Sequence, residues 1–156
     1  MSNPAKTTER EVVLTVPFDM EELDTIRLTL YGVAVRMGFS YEAIEDMKVA
    51  LTEACNYALL QSGQIVKDAP LRFTFFVRPQ ELLVRMEAPG CGLSLNEAKS
   101  SKDKLLTEAE EGERPLFESG RLGLYMMQAL VDEVRVVTAG DGPQAEEGIE
   151  LLKRLG

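Results

Sequence analysis

The amino-acid sequence predicts an α+β fold, a two-layer sandwich with helices on one face of a mixed, mainly antiparallel sheet. Two helical patterns lie near the N-terminus, between residues 19 and 61, and most of the alternating patterns typical of strands follow them. Turn signals of the hairpin type join several of those strand patterns, which favours antiparallel pairing. With 156 residues, 45% of them apolar, the chain is long enough for one domain with its own core.

The first predicted elements are a strand and a helix. Residues 1–10 are polar and are expected to form a flexible terminus, followed by a single domain over residues 11–156. Residues 11–16 predict the first strand, which Pro17 ends. Asp19 and Glu22 have the spacing of a capping box, and apolar residues then repeat at helical spacing until Gly38. These apolar residues are Leu23, Ile26, Leu30, Val33 and Met37.

Residues 40–61 predict a long second helix, with Ser40 as its N-cap and Gly63 just beyond its end. Its apolar stripe consists of Ile44, Met47, Leu51, Ala54, Cys55 and Ala58. At about 100° per residue, Glu53 falls on a second face. That face also carries Asp46, Ala50, Tyr57 and Leu60. Spacing alone leaves two interpretations of Glu53 open. It could form the floor of a pocket, or it could be one of the 26 acidic residues of the chain and lie on a solvated face.

The rest of the chain predicts a sheet and a third helix. Residues 71–77 and 82–86 alternate on either side of Pro79 and predict a hairpin, and residues 133–138 and 148–153 predict two more strands. The residues whose spacing predicts the apolar face of the third helix are Leu122, Tyr125, Met126, Ala129 and Leu130. The charge-rich stretch 93–118 contains Gly112 and Pro115 as breakers, which predicts a mobile segment.

Composition narrows the possible functions. The chain has no histidine, which excludes Ser–His nucleophilic catalysis and leaves carboxylates, lysines and tyrosines as acids and bases. Cys55 and Cys91 lack metal-type spacing and are expected to be free thiols, and no metal ligands are predicted. A net charge of −9 argues against nucleic acid as a partner. Without a signal core or a membrane-spanning apolar run, a cytoplasmic protein with no membrane partner is expected.

Three stretches, in the same order, resemble one protein family. The sequence Thr52-Glu53-Ala54-Cys55 and the helix before it resemble the N-box helix of the RsbW and SpoIIAB anti-sigma factor serine kinases. Residues 26–38 and 120–127 resemble the parts of the family that flank this helix. The family belongs to the gyrase, Hsp90, histidine-kinase and MutL-type (GHKL) ATPases, so the resemblance implies their Bergerat fold over most of residues 10–139.

The resemblance also implies a site for ATP and Mg²⁺. Glu53 matches the general base that acts on the hydroxyl of the protein substrate. The family's magnesium ligand stands four residues later, where this chain has Tyr57, and the neighbouring Asn56 points about 100° away. A neutral phenol is a poor magnesium ligand. Either water and phosphate oxygens alone hold the metal, or metal binding is lost.

Two glycine-rich boxes complete the implied site. Ala88 stands where the family has an aspartate that bonds the adenine amino group, while Gly90 and Gly92 are retained. An unpaired donor on the base costs about 1–3 kcal/mol. The loop that opens the third helix is intact and would offer free N–H groups to phosphates. It consists of Gly120, Arg121, Leu122, Gly123 and Leu124, and residues 93–118 are expected to be the lid before it.

We therefore expect an RsbW-type anti-sigma factor whose ATP binding and serine kinase activity are weakened or lost. The resemblance implies three partners: a sigma factor, a STAS-type anti-sigma factor antagonist, and a second copy in a homodimer formed through the sheet. The sigma factor is expected to bind the helix that begins near Glu21. An active serine-protein kinase is the first alternative, and a small-molecule sensor that uses the remodelled pocket is the second.

Overall fold

A computed structural model describes residues 9–62, 69–89, 121–139 and 146–156. It confirms the predicted α+β architecture, and none of the described helices is long and apolar enough to cross a membrane. The elements, in chain order, are β1 (Arg10–Pro17), a 3₁₀ turn (Met20–Glu22), α1 (Leu23–Met37), α2 (Tyr41–Ser62), β2 (Pro70–Val77), β3 (Glu81–Glu87), α3 (Arg121–Leu130), β4 (Glu133–Ala139) and β5 (Glu146–Arg154). The predicted flexible terminus, up to residue 8, and the predicted lid lie outside the described residues.

The five described strands form one sheet in the order β1-β2-β3-β5-β4, and each neighbouring pair is antiparallel. The predicted hairpin is confirmed as β2 and β3, closed by a hydrogen bond from the Arg78 N–H to the Glu81 carbonyl at 3.1 Å. Where β5 passes β3, a Cβ at Gly148 would lie 2.5 Å from the Met86 carbonyl oxygen. Only glycine allows the two backbones to come this close.

Local polar groups set the ends of the first two helices. The Glu21 N–H donates to the Asp19 side chain at 2.9 Å, and the Ala43 N–H donates to Ser40 Oγ at 3.1 Å. Gly38 ends α1 in the left-handed conformation, with φ of 93°. These contacts confirm the predicted cap residues. The predicted capping box does not form, because the Asp19 N–H donates to the Pro17 carbonyl at 2.8 Å and the Asp19 side chain accepts from Glu21.

The core lies between the helices and one face of the sheet. The apolar stripes predicted for α1 and α2 point into it. The apolar face predicted for α3 is only partly right. Tyr125 and Leu130 pack against the core, but Leu122 and Ala129 are exposed, and Leu124 and Met127, which were not predicted, are fully buried. This helix is apolar at almost every position, so several stripes fit helical spacing, and packing against α2 selects the buried one.

The second face of the sheet carries a smaller apolar strip outside this core. Leu83 and Leu152, which are in register on β3 and β5, are buried although they do not belong to the main cluster. Beside them, the guanidinium of Arg85 lies 4.9 Å from the centre of the Phe76 ring. Arg85 also bonds the buried carboxylate of Glu150 at 2.7 Å. Charged side chains therefore surround a buried apolar strip on this face.

Candidate functional site

Glu53 lies half-buried in α2, directly beneath the first turn of α3. A Cβ at Gly123 would stand 2.9 Å from Glu53 Oε1 and 3.6 Å from both the Cβ and the carbonyl oxygen of Glu53. Any larger residue at position 123 would therefore press on the carboxylate. The structure thus brings together two residues that the sequence assigned to one site.

The other end of α3 is fixed near the start of α2. Lys153 of β5 donates to the Leu130 carbonyl at 2.9 Å, and its Nζ lies 4.0 Å from Asp46 Oδ2. A cation at the last carbonyls of a helix is favourable. Because Gly123 lies at Glu53 and Leu130 lies near Asp46, α3 runs antiparallel to α2. We call one side of α2 the second face of α2; it carries Asp46, Ala50, Glu53 and Tyr57. This face therefore packs largely against α3.

Tyr57, four residues after Glu53, is part of the hydrophobic core. Its side chain is only 1% exposed, and it packs with the main cluster of buried residues. The sequence placed Tyr57 correctly on the face of Glu53 but gave no sign that this end of the face is closed to solvent.

Ala88 stands at the end of β3 and is also buried, at 2% exposure. Its methyl group belongs to the same core cluster as Tyr57. The glycine-rich positions after it, Gly90 and Gly92, and the intervening Cys91 lie outside the described residues. At the expected adenine contact, the described residues therefore provide only the apolar side chain of Ala88.

The predicted phosphate loop is described only from the start of α3. Arg121 is the first helical residue, and Gly120 lies outside the described residues. Leu122 is exposed, whereas Leu124 is buried in the core and holds the first turn of the helix in place. Among the described loop residues, Gly123 lies against Glu53 in the geometry given above.

A polar link between α1 and α2 ends one residue before Glu53. Arg27 Nε donates to Thr52 Oγ1 at 3.1 Å, and the Thr52 hydroxyl donates to the Lys48 carbonyl at 2.8 Å. Arg27 also pairs with Asp24 at 3.2 Å. Sequence reasoning missed this link because it joins residues 25 positions apart, which no local pattern predicts.

Cys55 lies on the core side of α2, close to this link. Burial raises the pKa of its thiol to about 12, and the charge of Arg27 only partly opposes this effect. The thiol is therefore neutral and a poor nucleophile. Among the described residues, no three cysteine, aspartate or glutamate side chains are placed to hold a metal ion.

Comparison with known proteins identifies the family. The family model described as "Histidine kinase-like ATPase domain" matches residues 16–145. The serine-protein kinase RsbW of Bacillus subtilis is 34% identical over 125 residues, which are 80% of this chain and 76% of that protein. The protein of the same name from Listeria innocua is 30% identical over 131 residues, covering 83% and 81%. The chain belongs to the RsbW group of this ATPase family.

A solved structure supports the RsbW-like fold. The crystal structure of the RsbU and RsbW domains of a Mycobacterium tuberculosis protein superposes with a TM-score of 0.60 at 16% identity. The match covers 94% of this chain but only 32% of that longer chain. It therefore concerns the fold alone, and it confirms the predicted Bergerat architecture.

The RsbW family implies ATP as its ligand, and the described residues fit it only in part. Glu53 and Gly123 lie together, so a carboxylate stands beside the first turn of a helix, where free N–H groups favour anions. Ala88 has no polar atom in its side chain to accept a hydrogen bond from adenine. Tyr57 offers a phenol, buried in the core, where a magnesium ligand is expected. At these two positions the residues do not fit adenine and magnesium.

Proposed function

We propose that this RsbW-group protein is an anti-sigma factor that sequesters a sigma factor, with ATP binding and serine kinase activity weakened or lost. The observation that carries the proposal is an exposed apolar row on α1. Leu28, Tyr31 and Val35 are 69%, 45% and 46% exposed and occupy positions i, i+3 and i+7, so they line one side of the helix. We call these three residues the outer face of α1.

Such a row of exposed large apolar side chains is unusual for a helix that already buries its opposite side. The buried side of α1 consists of Ile26, Leu30, Val33 and Ala34. Apolar residues on the outer face add nothing to that core, whereas they would lose water on contact with a partner. At Gly32, which lies between them, no described atom other than those of its chain neighbours and the nearby helix backbone comes within 4 Å of the place a Cβ would take, so a partner can approach the helix closely.

Binding to purified sigma factors from the source organism tests the proposal. We expect a stable complex in gel filtration without nucleotide, and we expect Val35→Asp to weaken it at least about tenfold by placing a charge in an apolar contact. Val49→Asp is the matched control, since Val49 is 39% exposed on α2 and outside the outer face of α1. If no sigma factor binds the parent chain, the anti-sigma proposal fails and the sensor hypothesis becomes the leading one.

Loss of nucleotide binding is the second part of the proposal, and it rests on Ala88 and Tyr57. Titration calorimetry with Mg-ATP measures it directly. We expect at most weak binding, because the adenine contact and the metal contact both lack their usual oxygen atoms. Micromolar, magnesium-dependent binding would instead favour an active kinase.

A repair variant tests whether these two positions account for the loss. We expect Ala88→Asp combined with Tyr57→Asn to restore measurable Mg-ATP binding. Because both positions are buried, the variant should also be less stable than the parent. Thermal unfolding with and without Mg-ATP separates the two effects, since a bound ligand raises Tm. A folded variant that shows no nucleotide-dependent shift would mean that other parts of the site have changed.

An active serine-protein kinase is the second candidate function. The contact between Glu53 and the first turn of α3 favours it, because this pairing retains the base beside the expected phosphates. Incubation with a STAS-type antagonist and labelled ATP distinguishes the candidates. Phosphotransfer that is abolished by Glu53→Gln would establish the kinase and overturn the proposed loss of activity.

We also propose that the chain forms a homodimer through the second face of the sheet. Leu83 and Leu152 are already buried within one chain, so the apolar surface on this face that a partner could cover comes from Val13, which is 56% exposed, and the half-buried Phe76. Sedimentation equilibrium of the purified chain tests it, and Phe76→Asp should shift the distribution toward the monomer. A monomer at all concentrations would contradict it.

A further inference from the structure

A basic cavity lies at the C-terminal end of α1, well away from Glu53. It is open, has a volume of about 490 Å³, and lies between the start of β1, the last turn of α1 and the turn between β2 and β3. Three arginines from these three places line it, together with one glutamate. The lining residues used below are Arg10, Arg36, Arg78, Glu9, Met37 and Val77.

The three arginines are not equivalent. Arg78 is already neutralised, since it bonds Glu9 and Glu81 at 2.7 Å each, and these two carboxylates raise its pKa. Arg10 and Arg36 form no hydrogen bond or ion pair with the described residues. Among the described residues, Arg10 and Arg36 therefore line the cavity unpaired, because Glu9 is taken up by Arg78, and they do so in a chain whose net charge is −9.

The remaining wall of the cavity is apolar. Met37 ends α1, and Val77 pairs in register with Arg10 across β1 and β2. A guanidinium next to an apolar surface suits a ligand that carries both a carboxylate and an aliphatic stem. The carboxylate binds the guanidinium, and the stem packs against the apolar surface. Glutamate and aspartate side chains on a polypeptide have this composition. Arg36 also follows Val35 directly, so the cavity adjoins the outer face of α1.

We propose that this cavity is a docking site for an acidic segment of a protein partner, with Arg10 and Arg36 binding its carboxylates. The proposal rests on the proposed function in one respect, namely that a protein covers the adjacent outer face of α1. Charge complementarity selects the occupant: in an otherwise acidic molecule, a local pair of uncompensated cations attracts an acidic segment and repels a basic one.

The test uses the isotope-labelled full-length chain and a hexaglutamate peptide as the probe. At low ionic strength we expect the peptide to shift amide resonances at residues 10, 36–37 and 77–78 and to leave those around Glu53 unchanged. Added salt should weaken binding, because exposed ion pairs are screened. A hexalysine peptide should produce no shifts at these residues.

Matched charge reversals decide whether the cavity itself binds. Arg36→Glu should weaken hexaglutamate binding by about tenfold or more, whereas Arg72→Glu should change it less than about twofold. Arg72 is an exposed arginine of β2 outside the cavity, and its reversal changes the net charge by the same amount. Equal effects of the two variants, or shifts spread over the whole surface, would overturn the proposal.

Inorganic phosphate and ATP form the remaining arms of the experiment. If either shifts the same resonances at lower concentration than hexaglutamate, the cavity is a small-anion site and the proposal is wrong. The outcome is independent of the sigma-factor experiment, because hexaglutamate binds here, or fails to, whether or not a sigma factor binds α1. A positive sigma-factor result with no hexaglutamate binding would refute only the docking site.

Discussion

The second face of α2 and the outer face of α1 lie on consecutive helices, yet they differ in what covers them. On α2, the face that carries Glu53 and Tyr57 is covered by α3 and the core. On α1, Leu28, Tyr31 and Val35 are covered by no described residue to a comparable degree. Residues on the second face of α2 should therefore govern folding stability, and residues on the outer face of α1 should govern association.

This difference also bears on how a nucleotide site degenerates. A position that holds a metal ligand must reach the bound nucleotide, but Tyr57 packs into the core. A large aromatic ring in such a place contributes burial energy of its own. Reversal to a polar residue then costs stability, so under the proposed loss of nucleotide binding the packing of Tyr57 would itself oppose a return to the family's residue.

The largest expected effect comes from truncating a tyrosine on each face. We expect Tyr57→Ala to lower the free energy of unfolding by about 3–5 kcal/mol, because it leaves a large cavity in the core. Tyr31→Ala, on the outer face of α1, should change it by less than about 0.5 kcal/mol. Urea denaturation of both variants and the parent provides the measurement.

The same pair of variants should show the opposite order in partner binding. Tyr31→Ala is expected to weaken the sigma-factor complex while leaving unfolding unchanged, since an exposed aromatic ring is a common anchor of interfaces. If Tyr31→Ala proves as destabilising as Tyr57→Ala, the outer face of α1 is part of the folded core and does not differ from the second face of α2.

The sequence was most informative where local chemistry decides the structure. Asp19, Gly38 and Ser40 mark helix ends through bonds within a few residues, and the structure has those bonds or conformations at the expected places. The apolar stripe of α2 was equally clear, because polar residues stand between the members of the stripe along the sequence. For such features a single sequence is sufficient.

It was less informative where distant elements decide the structure. The buried face of α3 depends on its contact with α2, and the apolar sequence of α3 fits several faces. The burial of Tyr57 likewise depends on elements far along the chain. The link from Arg27 to Thr52 follows from the crossing of two helices. Helical spacing identifies which residues share a face but does not determine what lies against that face.

A smaller effect is expected from pH, through Cys55 on the buried side of α2. Burial raises the pKa of this thiol from 9.0 to about 12, so the folded state favours the neutral form. This contribution to stability is complete below pH 9, and it decreases by about 1.4 kcal/mol per pH unit as the unfolded thiol ionises between pH 9 and 12.

Two variants isolate this effect: Cys91→Ser, and the double variant Cys55→Ala/Cys91→Ser. The free energy of unfolding of each is measured by chemical denaturation at pH 8 and at pH 10. The difference in stability between the two variants should become smaller at pH 10 by about 1.4 kcal/mol. A thiol reagent should also react with Cys55 much more slowly in the folded chain than in denaturant. Rapid reaction under native conditions would show that Cys55 is accessible and that this side of α2 opens.

The smallest effects should come from substituting two glycines within helices. One, Gly32, lies on α1, and the other, Gly123, lies in α3 against the second face of α2. At Gly32 on α1, a Cβ would meet no described atom within 4 Å beyond its chain neighbours and the nearby helix backbone. Gly32→Ala should therefore raise the free energy of unfolding by about 0.5–1 kcal/mol through reduced backbone entropy. At Gly123, the new methyl group would stand 2.9 Å from Glu53 Oε1, and moving the carboxylate should cancel that gain or reverse it. Chemical denaturation of the two variants measures both changes. Equal stabilisation by both substitutions would mean that the Glu53 carboxylate moves aside without cost, and the predicted difference between the two glycines would then be wrong.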